Sequence, residues 1–143
     1  MPEPLTLDRD GVMEVLPHRE PFLFLHGVDD LVPGERARGF VTVPADHPYG
    51  LGQPDVPTGL VIEAMAQLGG VAMLYERRGE GALVLFRSIR NFRLIRPVAF
   101  DARLDLAARV GRIRGRFGEV LAEARTGDEP VAEATLGFAL MGS

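Results

Sequence analysis

Cysteine is absent from the sequence, which excludes a disulfide framework, a thiolate metal site and a cysteine nucleophile. Lysine is absent as well. All 16 basic residues are arginine, so no Schiff-base lysine is available. Positive charge is in deficit, and a net charge of −4 argues against general attraction to nucleic acid. Histidine is scarce: His18, His26 and His47 are scattered without nearby carboxylate spacing, so no metal site is expected. The first residues are acidic and carry no apolar run, so a signal peptide is not expected and a cytoplasmic location is. The longest apolar stretch is interrupted by Glu63 and Gln67, which argues against membrane insertion.

What is present suits one packed domain over residues 1–143, with 46% apolar residues. No repeat or linker divides the chain. Between Leu5 and Leu16, Val12, Val15 and Leu16 follow Asp8 at helical spacing, which predicts a short helix ending before Pro17. Phe22-Leu23-Phe24-Leu25 is an apolar run short enough for a buried strand. Pro33-Gly34 marks a turn, and Arg36 to Val43 reads as strand. Residues 44–58, with four prolines and two glycines, read as a long irregular loop of the kind that carries function.

Thr58 is the expected N-cap of a helix from Gly59 to Arg78. That segment is apolar almost all round, as a buried helix must be. After Gly81 everything reads as strand. Leu83 to Ile95 changes its apolar parity near Ser88, so a bulge is expected there. Residues 102–110, 120–125 and 132–140 alternate apolar with polar, separated by turns at Gly115 and Thr126-Gly127-Asp128. The sum is an α+β domain of the hotdog type: an antiparallel sheet wrapped around one long buried central helix.

Glu63 is the informative residue, a carboxylate on the second turn of an otherwise apolar helix. Gln67 and Gly70 share its stripe. Glu63 is either a general acid/base or half of a buried polar pair with Gln67. The helix start around Gly59 and Leu60 offers backbone N–H groups free of helical partners, suited to polarising a carbonyl. Its alternative is an ordinary capped helix end. His47 and Tyr49 lie in the loop just upstream. His18 and His26 are read as structural. Arg87, Arg90, Arg93 and Arg96 recur along one strand, as a solvated edge or as a docking patch for an acidic protein.

Several segments together resemble one family. Leu16-Pro17-His18-Arg19 followed by Pro21-Phe22-Leu23, the helix motif Leu60-Val61-Ile62-Glu63-Ala64-Met65-Ala66-Gln67, and Arg96-Pro97-Val98 with Asp101 resemble the β-hydroxyacyl-acyl carrier protein dehydratases over roughly residues 10–140. The resemblance implies elimination of water from a 3-hydroxyacyl thioester, carried by acyl carrier protein or coenzyme A, without a cofactor. It also implies a homodimer, or a hexamer of three dimers, in which a helix carboxylate works with a loop histidine of the partner beside an apolar tunnel. Glu63 takes the carboxylate position. The histidine position, fourteen residues earlier, holds Tyr49, and His47 lies two residues before it. The candidate catalytic residues are therefore Glu63, His47 and Tyr49. The candidate substrate-binding residues are Pro57, Gly59, Leu60 and Gln67.

Three readings follow: an active dehydratase, a lapsed homologue that binds acyl thioesters or partners an active subunit, and a hotdog thioesterase. The Leu-Pro-His-Arg opening and the Arg-Pro-Val segment count against the third, and the resemblance favours the first.

Overall fold

A computed structural model describes residues 3–142. Seven strands form one antiparallel sheet: β1 (Leu5–Leu7), β2 (Gly27–Leu31), β3 (Arg36–Thr42), β4 (Leu83–Leu94), β5 (Arg103–Arg114), β6 (Phe117–Thr126) and β7 (Glu129–Met141). Their order is β1-β2-β3-β5-β6-β7-β4. Helix α1 (Arg9–Val15) closes one end, and helix α2 (Thr58–Leu74) lies against the inner face, followed by a 3-10 turn over Tyr75–Arg77. This is the expected hotdog arrangement.

Period-two alternation builds the inner face. Leu104, Leu106 and Ala108 of β5, Val120, Ala122 and Ala124 of β6, and Ala132, Ala134, Leu136 and Phe138 of β7 are buried. Four alanines, Ala37, Ala108, Ala122 and Ala134, stand in register across β3, β5, β6 and β7. Such small residues let the helix come close. Gly69 of α2 takes advantage: a Cβ there would lie 3.2 Å from both Phe138 and Val120. The segment Thr58–Arg77 is long and apolar enough to span a membrane by composition, yet most of it is buried within the domain. Glu63 and Gln67 therefore do not interrupt that apolarity as strongly as the sequence reading held.

Helix α1 forms as expected, and Asp8 caps it: the Asp8 side chain accepts from the Gly11 N–H at 2.8 Å. The bulge expected near Ser88 is present, with register shifts between Phe86 and Ser88 and again between Arg90 and Arg93. Arg90, Arg93 and Arg96 form ion pairs with Glu119, Glu133 and Glu129, and Arg87 lies over the Phe117 ring. These arginines are laced to the surface of the sheet.

Three expectations are corrected. Phe22 to Leu25 is not a strand. Leu23, Phe24 and Leu25 are buried, but side chains take the place of a ladder: Gln67 accepts from the Phe24 N–H (2.9 Å) and donates to the Phe22 carbonyl (2.7 Å). Arg9 donates to the carbonyls of Leu23 and Leu25, at 3.0 Å each. A short apolar run fits either arrangement, and only the reach of Gln67 and Arg9 decides. The strand β2 begins later, at Gly27, and β1 was not foreseen. Finally, Pro57 and not Thr58 is the N-cap of α2, and no side chain caps that end.

Candidate functional site

The site is built on one stripe of α2. Gly59, Glu63, Gln67 and Gly70 follow one another at three- and four-residue spacing. The chain segment 16–24 lies along this stripe. Leu16 sits over Gly70, where a Cβ would come within 3.3 Å of Leu16 Cδ2. Further along, the buried Gln67 clamps the backbone at Phe22 and Phe24. The turn between these anchors carries His18 and is drawn in by Arg19, which donates to the carbonyls of Leu16 (2.9 Å), His18 (2.7 Å) and Met13 (3.2 Å).

Glu63 is not sealed in the core. Its side chain retains 36% of its exposure, and Oε2 accepts from Gln67 Nε2 at 3.0 Å. His18 Nε2 stands 3.4 Å from the same oxygen, at ion-pair distance. Among the described residues Oε1 has no hydrogen-bond partner. A carboxylate held by one oxygen and open at the other is arranged for proton transfer at the open one.

The loop over residues 44–58 reaches the same corner. His47 is buried; its Nε2 donates to the Pro21 carbonyl at 3.1 Å and its Nδ1 accepts from the Tyr49 N–H at 3.2 Å. Both ring nitrogens are thus engaged, in the neutral Nε2–H tautomer. Tyr49 is half exposed, its ring 5.5 Å from that of Phe22. Phe22 and Leu51 are exposed beside it. Among the described residues neither His47 nor Tyr49 makes a hydrogen bond or ion pair with Glu63 of its own protomer.

At the start of α2 the Gly59 N–H has no partner among the described residues, and the space a Cβ would occupy is open. The Leu60 N–H differs from expectation: it donates to the Pro57 carbonyl at 2.9 Å. Without a side-chain cap the chain tightens into a turn here, and Pro57 supplies the acceptor. Only Gly59 of the expected pair remains available.

His18, read from the sequence as structural, stands beside Glu63. It lies 45 positions before Glu63, and only the clamp by Gln67 on a non-strand segment brings the two together. His26 holds the sheet corner as expected, donating to the Thr42 carbonyl at 3.1 Å and stacking on Phe40. No group of three or more potential metal ligands occurs among the described residues. A cavity of about 520 Å³ lies on the outer face of the sheet among Arg36, Arg38, Asn91, Arg109 and Glu123, away from Glu63. Arg36 there is held above its ordinary range, first by its hydrogen bond to Asp30 and then by that carboxylate's charge.

No family model matches the chain. Curated relatives do. The chain is 36% identical over 138 residues to a 3-hydroxyacyl-[acyl-carrier-protein] dehydratase FabZ of Bacillus velezensis, covering 94% of this chain and 98% of that one. It is 38% identical over 138 residues to the protein of the same name from Desulforamulus reducens, covering 94% and 97%. Among solved structures, the dehydratase heterocomplex ApeI:P from Xenorhabdus doucetiae superposes with a TM-score of 0.80 at 23% identity, covering 92% of this chain and 91% of that one. Cj0977, a sigma28-regulated virulence protein from Campylobacter jejuni, has the same fold at a TM-score of 0.73 and 11% identity, covering 93% and 97%.

Proposed function

Because the chain belongs to the FabZ family of 3-hydroxyacyl-[acyl-carrier-protein] dehydratases, we propose that it eliminates water from a 3-hydroxyacyl thioester of acyl carrier protein, in the cytoplasm and as a homodimer. The observation that carries this reading is Glu63, fixed at Oε2 and free at Oε1 on the stripe that begins with the open Gly59 N–H.

The chemistry follows from that stripe. The thioester carbonyl accepts a hydrogen bond from the Gly59 N–H, which supports negative charge on oxygen as the C2 proton leaves. One turn further along, roughly 6 Å by helical rise, Glu63 Oε1 takes that proton. The electron pair of the C2–H bond forms the C2–C3 double bond. The C3–O bond breaks with its electron pair, and the hydroxyl departs as water on receiving a proton, for which the exposed phenol of Tyr49 is the suited donor; the proton on Glu63 then passes through solvent back to the phenolate, restoring both groups. His47 serves the loop instead, since both its nitrogens are engaged. Pro57 and the buried Gln67 hold the two ends of the binding stripe.

The site is open on one side, and a second copy supplies the missing wall and the Tyr49 hydroxyl. Strand β4 supports this assembly. It is one of the two edges of the sheet, and Leu83, Leu85, Phe86, Ile89 and Leu94 are exposed along it. An exposed apolar edge invites pairing with another strand.

The test is hydration of a 2-enoyl thioester, the reverse reaction, by the purified protein. We expect turnover that falls by about 10²–10⁴-fold in Glu63→Gln. Absence of turnover by the wild type, or release of free thiol without hydration, would overturn the reading.

A further inference from the structure

We propose that His18 of the same protomer is the positioning residue for the Glu63 carboxylate, and that the working imidazole of this site comes from the Leu-Pro-His-Arg turn and not from the loop over residues 44–58. The inference deepens the dehydratase reading and rests on it for its catalytic part.

The three histidines separate cleanly. His26 Nε2 is engaged by the Thr42 carbonyl, and His47 has both nitrogens engaged. His18 alone among them directs a ring nitrogen at a carboxylate, Nε2 to Glu63 Oε2 at 3.4 Å. Its other nitrogen, Nδ1, is buried and has no hydrogen-bond partner. Burial of a polar atom without a partner is unfavourable, and such an arrangement survives where the rest of the side chain is needed elsewhere. Packing also holds the ring in this posture. Leu16 is seated over Gly70, and Arg19 ties the turn through three carbonyls.

The Gln67 amide donates to Oε2 at 3.0 Å, and the His18 ring nitrogen Nε2 faces the same oxygen at ion-pair distance, 3.4 Å. Both contacts fall on one oxygen, which restricts the carboxylate and leaves Oε1 for substrate. Other charges near the turn are otherwise occupied: Arg9 is paired with Glu20, and the Arg19 guanidinium faces carbonyl oxygens. Gln67 is neutral. Glu63 is therefore the charged group that His18 answers to.

The full-length protein with His18→Gln and His18→Leu tests this. First, the Glu63 side-chain carboxyl ¹³C resonance, assigned by its loss in Glu63→Gln, is followed against pH. In the wild type its pH dependence should carry a component that vanishes in His18→Gln. This measurement needs no turnover, so it reads the pairing even if the dehydratase reading fails. Second, in the enoyl-thioester hydration assay, His18→Leu should lower kcat by about 10–100-fold with KM within about twofold, since small misplacements of a catalytic group cost that much. His18→Gln, which keeps a donor, should recover most of kcat while losing the imidazole-dependent limb of the pH–rate profile. A Glu63 resonance indifferent to His18, or equal loss in both variants with an unchanged pH profile, overturns the proposal.

Discussion

Gln67 Nε2 donates to both the Phe22 carbonyl, at 2.7 Å, and Glu63 Oε2, at 3.0 Å. One buried amide thus ties the carboxylate to the irregular segment that stands where a strand was expected. Replacing it with an apolar residue of similar size should damage fold and site together. In Gln67→Leu the Phe24 N–H and the Phe22 carbonyl lose their partner, and the unfolding free energy should drop by about 2–4 kcal/mol. Urea denaturation of the two proteins measures this.

Gly59 separates function from stability in the other direction. Nothing lies within 4 Å of the place a Cβ would take. Gly59→Ala should therefore leave thermal stability unchanged or slightly raised, since alanine favours a helix by up to about 1 kcal/mol over glycine. In the proposed binding mode the added methyl group meets the incoming thioester carbonyl, so kcat/KM should fall about tenfold or more, a loss of roughly 1.4 kcal/mol in transition-state binding. Calorimetry and the hydration assay on the same sample check both halves.

A site shared between subunits has its own signature. Glu63→Gln and Tyr49→Phe should each be severely impaired as homodimers. A mixed dimer carrying one of each, isolated by two affinity tags, contains one intact site of two and should recover roughly half the wild-type rate. No recovery would confine Glu63 and Tyr49 to separate roles or to one protomer.

Edge strand β4 should control assembly. Ile89 is exposed in the middle of that strand. A charge there opposes pairing of apolar edges, so Ile89→Glu should shift the protein from dimer to monomer in size-exclusion light scattering. Activity should fall with it.

Two glycines predict unequal costs for the same added methyl group. At Gly39 a Cβ would lie 2.7 Å from the Gly27 carbonyl oxygen and 3.2 Å from Leu68, so the β2–β3 pair must shift. Gly39→Ala should cost about 1–3 kcal/mol. At Gly118 the obstacle, also at 2.7 Å, is the flexible end of Met73. Gly118→Ala should cost less than about 1 kcal/mol, because methionine repacks easily.

Much of the fold was legible in the chain because it depends on local repetition. The apolar-all-round stretch after Pro57 predicts a buried helix whatever surrounds it, and the alternation in β5, β6 and β7 assigns each side chain to a face. Even the bulge near Ser88 shows as a break in parity. Where length and pattern were ambiguous, reading failed. Phe22 to Leu25 has the composition of a strand, but Gln67 and Arg9, from distant positions, take its backbone groups.

The candidate site divides in the same way. An acidic side chain in an apolar helix announces itself, and helical spacing alone puts Glu63, Gln67 and Gly70 on one stripe. Nothing local says that His18 ends beside Glu63, or that His47 turns both nitrogens inward to Pro21 and Tyr49. Those pairings arise from packing of segments far apart in sequence. Periodicity determines which face of an element a residue occupies; only the assembled tertiary contacts decide which residue it meets there.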